Sequence, residues 1–87
     1  DSLKAETIEL EVSKNARADV EEWLGVNKKF VMPDGKIRFS AEMPVDAALA
    51  GKILSFGSAV KVISPEKLKK SVISLAKEIA DMYENEK

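Results

Sequence analysis

Two residue types that carry much of protein chemistry are missing from this chain of 87 residues, which has no cysteine and no histidine. Without cysteine there is no disulfide and no thiolate metal ligand, which is compatible with a reducing cytoplasm. Without histidine, the usual general base and the commonest metal ligand are absent as well. We therefore expect a cytoplasmic domain that is not an enzyme and that binds no metal or cofactor.

Long apolar runs and an excess of charge are missing too. No run approaches the roughly 20 apolar residues that cross a bilayer, so no contact with a membrane is expected. The 14 basic and 15 acidic residues leave a net charge of −1. Nucleic-acid binding depends on a clustered basic surface that neutralises phosphates. The chain is therefore not expected to bind DNA by itself.

Apolar and polar residues alternate in the stretches that we predict to be strands. In the first of them Ile8, Leu10 and Val12 point one way and the residues between them point the other way. A turn at residues 33–35 joins the second and third strands, because proline presets φ and glycine supplies a positive φ. The predicted strands are residues 7–12, 28–32, 36–43 and 59–63.

Apolar residues recur every three or four positions in three further stretches, which is the spacing of a helix with one buried face. Asp46 and Ser64 are expected to cap the second and third of these helices. Gly51 inside the second helix costs about 1 kcal/mol relative to alanine, and we expect the close approach of another backbone to compensate. The predicted helices cover residues 16–24, 46–56 and 65–83. The aromatic residues expected to pack on the core are Trp23, Phe56 and Tyr83.

The order of these elements predicts an α+β fold. A βαββαβ core with right-handed crossovers forms a four-stranded antiparallel sheet with two helices on one face, the ferredoxin-like arrangement. Its strand order is 4-1-3-2, so the first and third strands are central, and the last helix is an addition. Residues 1–6 are interpreted as a linker remnant and residues 7–87 as the domain.

The sheet face opposite the helices is the main candidate for a partner or ligand surface. Opposite charges on its central strands can pair across the sheet. RNA-binding sheets of this topology carry stacked aromatic residues there, and none is expected on this face. Three lysines at the start of the last helix oppose the helix dipole and could meet an acidic partner. The candidate residues are Glu9, Glu11, Arg38, Ser40, Glu42 and Lys61 on the sheet, and Lys67, Lys69 and Lys70 on the helix.

Several stretches also resemble one known family. These are ILSFG at residues 53–57, VKVISPEKL at residues 60–68, the turn at Asp34 and Gly35, and Tyr83 near the end of the last helix. Together they resemble the C-terminal extension (WCX) domain of WYL-domain transcriptional regulators. The resemblance covers roughly residues 7 to 83.

The resemblance implies a regulatory module of a bacterial transcriptional regulator. In that family a helix-turn-helix segment binds DNA, a WYL domain senses a small-molecule or nucleic-acid effector, and the WCX domain helps to form a homodimer. The DNA-binding part would then lie outside this fragment. A different class, the ACT domains, shares the βαββαβ order and binds amino acids between paired subunits. We keep it as the alternative.

Overall fold

The computed structural model describes residues 4–25 and 28–86, which form one sheet and three α-helices. The strands are β1 (Ala5–Val12), β2 (Lys28–Val31), β3 (Ile37–Pro44) and β4 (Val60–Ser64). The α-helices are α1 (Arg17–Leu24), α2 (Ala47–Leu54) and α3 (Glu66–Glu84), with short 3₁₀ turns at Lys14–Ala16 and Gly57–Ala59. The predicted α+β class is confirmed.

All strand pairs in the sheet are antiparallel, and the order is β2-β3-β1-β4. Read from β4, this is the predicted order 4-1-3-2. The two central strands pair along their whole length, from Ala5 opposite Pro44 to Val12 opposite Ile37. Because directly opposed residues share a face of the sheet, this register decides which side chains can meet.

The core lies between one face of the sheet and the helices. The alternating apolar residues of the central strands are buried there, and each helix adds at least one buried residue. Val20 and Leu24 come from α1, Leu49 and Ile53 from α2, and Leu68 from α3. Full burial of such a side chain contributes about 1.5–3 kcal/mol. The predicted packing of helices on one side of the sheet is therefore confirmed.

Turns and helix ends agree with the sequence in most places. The Asp46 side chain accepts a hydrogen bond from the Leu49 N–H at 2.9 Å, so it caps α2 as predicted. Gly25 and Gly35 have positive φ angles of 74° and 89°, where α1 ends and where the hairpin turns. Strand β1 begins at Ala5, two residues earlier than expected, because Ala5 still pairs with Pro44.

The predicted cap of the last helix is wrong. Ser64 is the final residue of β4, and α3 begins at Glu66 with Pro65 in the N-cap position and no side-chain cap. The Ser64 hydroxyl instead donates to a Glu9 Oε1 at 3.4 Å across the sheet. Ser64 therefore belongs to strand β4, although the sequence pattern predicted that it would cap the helix.

The interpretation of Gly51 is also wrong. A Cβ added to this residue would meet no atom within 4 Å, other than the helix backbone and its own neighbours. Among the described residues, no other backbone lies close to that Cβ position, so none of them requires glycine at this position in α2.

Helix α3 extends beyond the body of the domain. It contacts α2 and β4, and of its residues only Leu68 is fully buried. Tyr83, which was expected to pack on the core, is 66% exposed, and Met82 is 65% exposed. By contrast, Trp23 and Phe56 do pack against the core, with ring centroids 5.8 Å apart. Within the described residues no helix is both long and apolar enough to cross a membrane.

Replacing Gly51 with alanine is expected to stabilise the domain by about 0.5–1 kcal/mol, because alanine is the better helix former and has room for its Cβ. Urea denaturation measures the change. The matched control is Gly57→Ala, which should destabilise because Gly57 has a φ of +63°. A loss of stability in Gly51→Ala would contradict the open space around this residue.

An ion-pair cluster joins α1 to β2 and makes stability depend on pH. The Lys29 ammonium hydrogen bonds to Glu21, and the Arg17 Nε donates to Glu21 Oε2 at 3.0 Å. These two contacts, Lys29 first, lower the pKa of Glu21 from its usual 4.5. A lowered pKa in the folded state stabilises the fold above the unfolded-state value, and this stabilisation is lost as the pH falls through the folded-state value.

Glu21→Gln should therefore lower the free energy of unfolding at neutral pH and make no difference once the pH is below the folded-state pKa of Glu21. Urea titrations of both proteins across this range would show the two stability curves converging in acid. Glu22→Gln, at an exposed neighbouring position, is the control. Parallel curves for Glu21→Gln and the parent chain would contradict the role of the cluster.

Candidate functional site

The helices that the structure describes lie on one face of the sheet, and we call the opposite face the open face. The register places all six predicted sheet residues on it. Glu9 lies opposite Ser40, Glu11 lies between Arg38 and Lys61, and Glu42 lies opposite Thr7. The predicted pairing of opposite charges on the central strands is found for Glu11 and Arg38, whereas Glu42 is diagonal to Glu9.

Charges alternate along one row of this face. Arg38 on β3, Glu11 on β1 and Lys61 on β4 are successive cross-strand neighbours. Lys36 adds a further cation, with its Nζ 3.9 Å from Glu11 Oε1. Exposed pairs of this kind stabilise a fold by only about 0.2–1 kcal/mol. The row therefore contributes more to the charge pattern of the surface than to folding.

Arg38 differs from its neighbours because part of it is buried without a partner. Its Nε is shielded from solvent and makes no hydrogen bond, and among the described residues it is the one buried side-chain nitrogen or oxygen in this condition. Leaving a buried polar group unsatisfied costs about 1–3 kcal/mol. Such groups are rare in native structures. A binding partner that accepts a hydrogen bond from the Nε would explain this one.

An aromatic residue is present on the open face, which the sequence analysis missed. Phe30 on β2 lies opposite Arg38, and its side chain is 57% exposed. The hairpin could have revealed it, because the turn at 33–35 sets Val31 opposite Ile37 and therefore Phe30 opposite Arg38. Exposed Phe30 and the orphaned Arg38 nitrogen form an apolar and polar pair on one edge of this face.

The three lysines predicted on α3 do not lie on the open face. Lys67 forms an ion pair with Glu6, and Lys69 Nζ lies 3.7 Å from Glu66 Oε1, both on the helix side of the domain. Lys70 belongs to the same exposed turn. The structure therefore separates the predicted residues into a sheet surface and a helix surface.

A cleft connects the two surfaces at the free edge of β4. It has a volume of about 480 Å³ and lies between β4, the end of α2 and the first half of α3. Lys61 and Lys69 line it together with apolar side chains such as Val62 and Val72. The cleft is large enough for a small molecule and presents two cations at its rim.

The described residues contain no group of three or more acidic side chains arranged to hold a metal ion.

A lysine also contacts two aromatic rings away from the sheet. Lys52 Nζ lies 5.7 Å from the Trp23 ring centre and 5.2 Å from the Phe56 ring centre, which is the distance of a cation–π interaction. Trp23 is partly buried against the core, as its helical spacing predicts.

These features define a small α+β domain whose helices cover one side of an antiparallel sheet and leave the other side polar and accessible. A family model described as the WCX domain matches residues 4–80, which is most of the chain. The chain therefore belongs to the WCX domain family, and the resemblance stated from its residues is confirmed. A comparison with curated proteins found no match.

Arg38→Met should leave the free energy of unfolding unchanged or raise it by up to about 1 kcal/mol, because it removes a buried polar atom that has no partner. The measurement is urea denaturation at neutral pH. Phe39→Ala, on the covered face of the same strand, should lower stability by about 3–5 kcal/mol and serves as the contrast. A loss above about 1 kcal/mol in Arg38→Met would contradict this account of the Nε.

Proposed function

We propose that this WCX domain is the C-terminal regulatory and dimerisation module of a bacterial WYL-type transcriptional regulator. Its work is to form contacts within and between subunits, and it acts on a DNA-binding domain that lies outside this chain. The family match supports the regulatory class. In this proposal the domain is ferredoxin-like, not an enzyme, without cofactor, and located in the cytoplasm.

The open face is the surface that we assign to the neighbouring WYL domain. The observation that carries the assignment is the buried, unpartnered Nε of Arg38 beside exposed Phe30. An acceptor from another domain would satisfy the Nε, and an apolar side chain from it would cover Phe30. The hydrogen bond to the Nε is stronger in an interface that excludes water than in solution. Covering the Phe30 ring removes apolar surface from water, which is also favourable.

Labelling of a single cysteine tests the contact, since the chain has no cysteine of its own. Glu42→Cys places a thiol on the open face, and Glu22→Cys places one on exposed α1 as the matched control. Maleimide labelling is followed by peptide mass spectrometry in this chain alone and in the complete regulator. We expect Glu42→Cys to react at least about tenfold more slowly in the regulator, because the interface excludes the reagent, and Glu22→Cys to react equally in both. Equal rates for Glu42→Cys would overturn the assignment.

The proposal also places DNA binding outside this chain. The net charge of −1 supports this, because phosphate neutralisation requires clustered cations. Fluorescence anisotropy of a labelled DNA duplex at low salt should show no binding by this chain. The complete coding sequence should contain a helix-turn-helix and a WYL segment before residue 1. A coding sequence without them would remove the regulator proposal.

An ACT-like sensor remains the second candidate, and the cleft at the β4 edge favours it. A cleft of about 480 Å³ with Lys61 and Lys69 at its rim suits the carboxylate and side chain of an amino acid. A thermal-shift screen of amino acids against this chain distinguishes the two candidates. A ligand that binds the folded state raises the melting temperature, so an upward shift supports the sensor, and no shift favours the regulator module.

A further inference from the structure

Strand β4 lies at one edge of the sheet. Its neighbour is β1, and among the residues that the structure describes no strand pairs with its other side. An edge strand of this kind offers unpaired backbone N–H and C=O groups, which can bind a further extended segment. The free edge of β4 is therefore a place where the sheet can be extended.

The register of β1 and β4 shows which backbone groups face the free edge. The Ser13 N–H donates to the Ala59 C=O at 2.9 Å, so these two residues occupy a hydrogen-bonded position of the antiparallel ladder. Hydrogen-bonded and non-hydrogen-bonded positions alternate along such a ladder. The N–H and C=O of Lys61 therefore point to β1, whereas those of Val60 and Val62 point to the free edge.

The side chains of β4 alternate between the two faces of the sheet, and the cleft lies on the helix side. Val60 and Val62 point to the helices and are each 6% exposed, whereas Lys61 is exposed on the open face. The cleft of about 480 Å³ extends from these valines to Val72 and Ile73 of α3. Apolar side chains of a segment added to β4 have room there.

Strand β1 shows which side chains suit a neighbour of β4. Two apolar residues of β1 lie opposite the valines of β4, and Glu11 between them lies opposite Lys61. Opposite charges at paired positions of neighbouring strands attract each other. A segment on the other side of β4 with the same order, apolar then acidic then apolar, places its acidic residue beside Lys61. Lys69 at the rim of the cleft adds a second cation.

We infer that the free edge of β4 binds an extended segment of a partner protein that has an acidic residue between two apolar ones. The backbone of the segment pairs with Val60 and Val62, its apolar side chains enter the cleft, and its acidic side chain pairs with Lys61. The segment runs antiparallel to β4, as all described strand pairs do, because this pairing is slightly more stable per residue. This site is additional to the open face that the proposed function assigns to the WYL domain.

The sheet edges of a second copy do not supply such a segment. The sequence of β2 is Lys-Lys-Phe-Val and that of β4 is Val-Lys-Val-Ile-Ser, and neither contains an acidic residue. Two copies joined at these edges would bring lysines together, and like charges at opposed positions are unfavourable. Charge complementarity therefore favours a segment of a different protein.

A synthetic peptide tests the inference on this chain alone. The capped and fluorescently labelled peptide Ser-Thr-Leu-Glu-Val-Thr-Ser carries the order of side chains that β1 presents to β4. Fluorescence anisotropy should show saturable binding with a dissociation constant below about 1 mM. Absence of binding at that concentration of the folded chain would overturn the inference.

The backbone contact is tested by N-methylation of the peptide, which leaves the protein unchanged. In the antiparallel pairing, the N–H groups of the leucine and the valine point to β4 and that of the glutamate points away. N-methylation of the leucine or the valine should raise the dissociation constant at least about tenfold, and N-methylation of the glutamate should change it little. Equal effects at the three positions, or an effect at the glutamate alone, would contradict the pairing.

Charge reversal tests the contact with Lys61. Lys61→Glu should raise the dissociation constant at least about tenfold, and a peptide with lysine in place of glutamate should bind this variant as the original peptide binds the parent chain. Lys70→Glu makes the same change of net charge at an exposed position of α3 outside the cleft, and it is the matched control. Equal losses in the two variants, or no rescue by the lysine peptide, would count against the inference.

Other occupants of the edge give different results. Self-association of the chain that the peptide inhibits and that Lys61→Glu weakens would identify a second copy as the occupant. A free amino acid that displaces the peptide would identify a site for small molecules, and either result would overturn the inference. Equal labelling of Glu42→Cys in this chain and in the complete regulator would refute the open-face assignment and leave peptide binding unaffected.

Discussion

The pairing of β1 with β3 through the middle of the sheet is the constraint on which the rest of the structure depends. Eight residues of each strand pair in one continuous register. Because the side-chain period of a strand is two, a shift by one residue would move Ile8, Leu10 and Phe39 to the solvent face. The burial of these residues therefore holds the register, and the register in turn decides the composition of the opposite face.

The open face follows from the same register. Once the apolar residues point towards the helices, the residues between them must share the other face, including Glu11 and Arg38. The short strand β2 pairs with β3 at the edge of the sheet, and this pairing places Phe30 opposite Arg38 on the same face. What distinguishes the face is this combination of an exposed ring and a desolvated, unpartnered guanidinium nitrogen, since alternating surface charges alone are common and weakly stabilising.

In helix α3 the apolar pattern of the sequence does not tell which residues are buried. The apolar residues of α3 recur at helical spacing along its whole length, but Leu68 at its start is the one that the structure buries fully. The length of the helix compared with the body of the domain leaves Ile79, Met82 and Tyr83 near its end exposed.

The sequence by itself determined the identity and order of nearly all elements, because alternation and helical spacing are local consequences of burying one face. It also determined the six sheet residues that share the open face, for the same reason. Only the tertiary structure decided that Ser64 pairs across the sheet and does not cap α3, that Gly51 has free space around it, and that Tyr83 lies outside the core. Each of these outcomes depends on whether residues that are far away in the sequence lie nearby in space. The spacing of residue types along the chain does not reveal such neighbours.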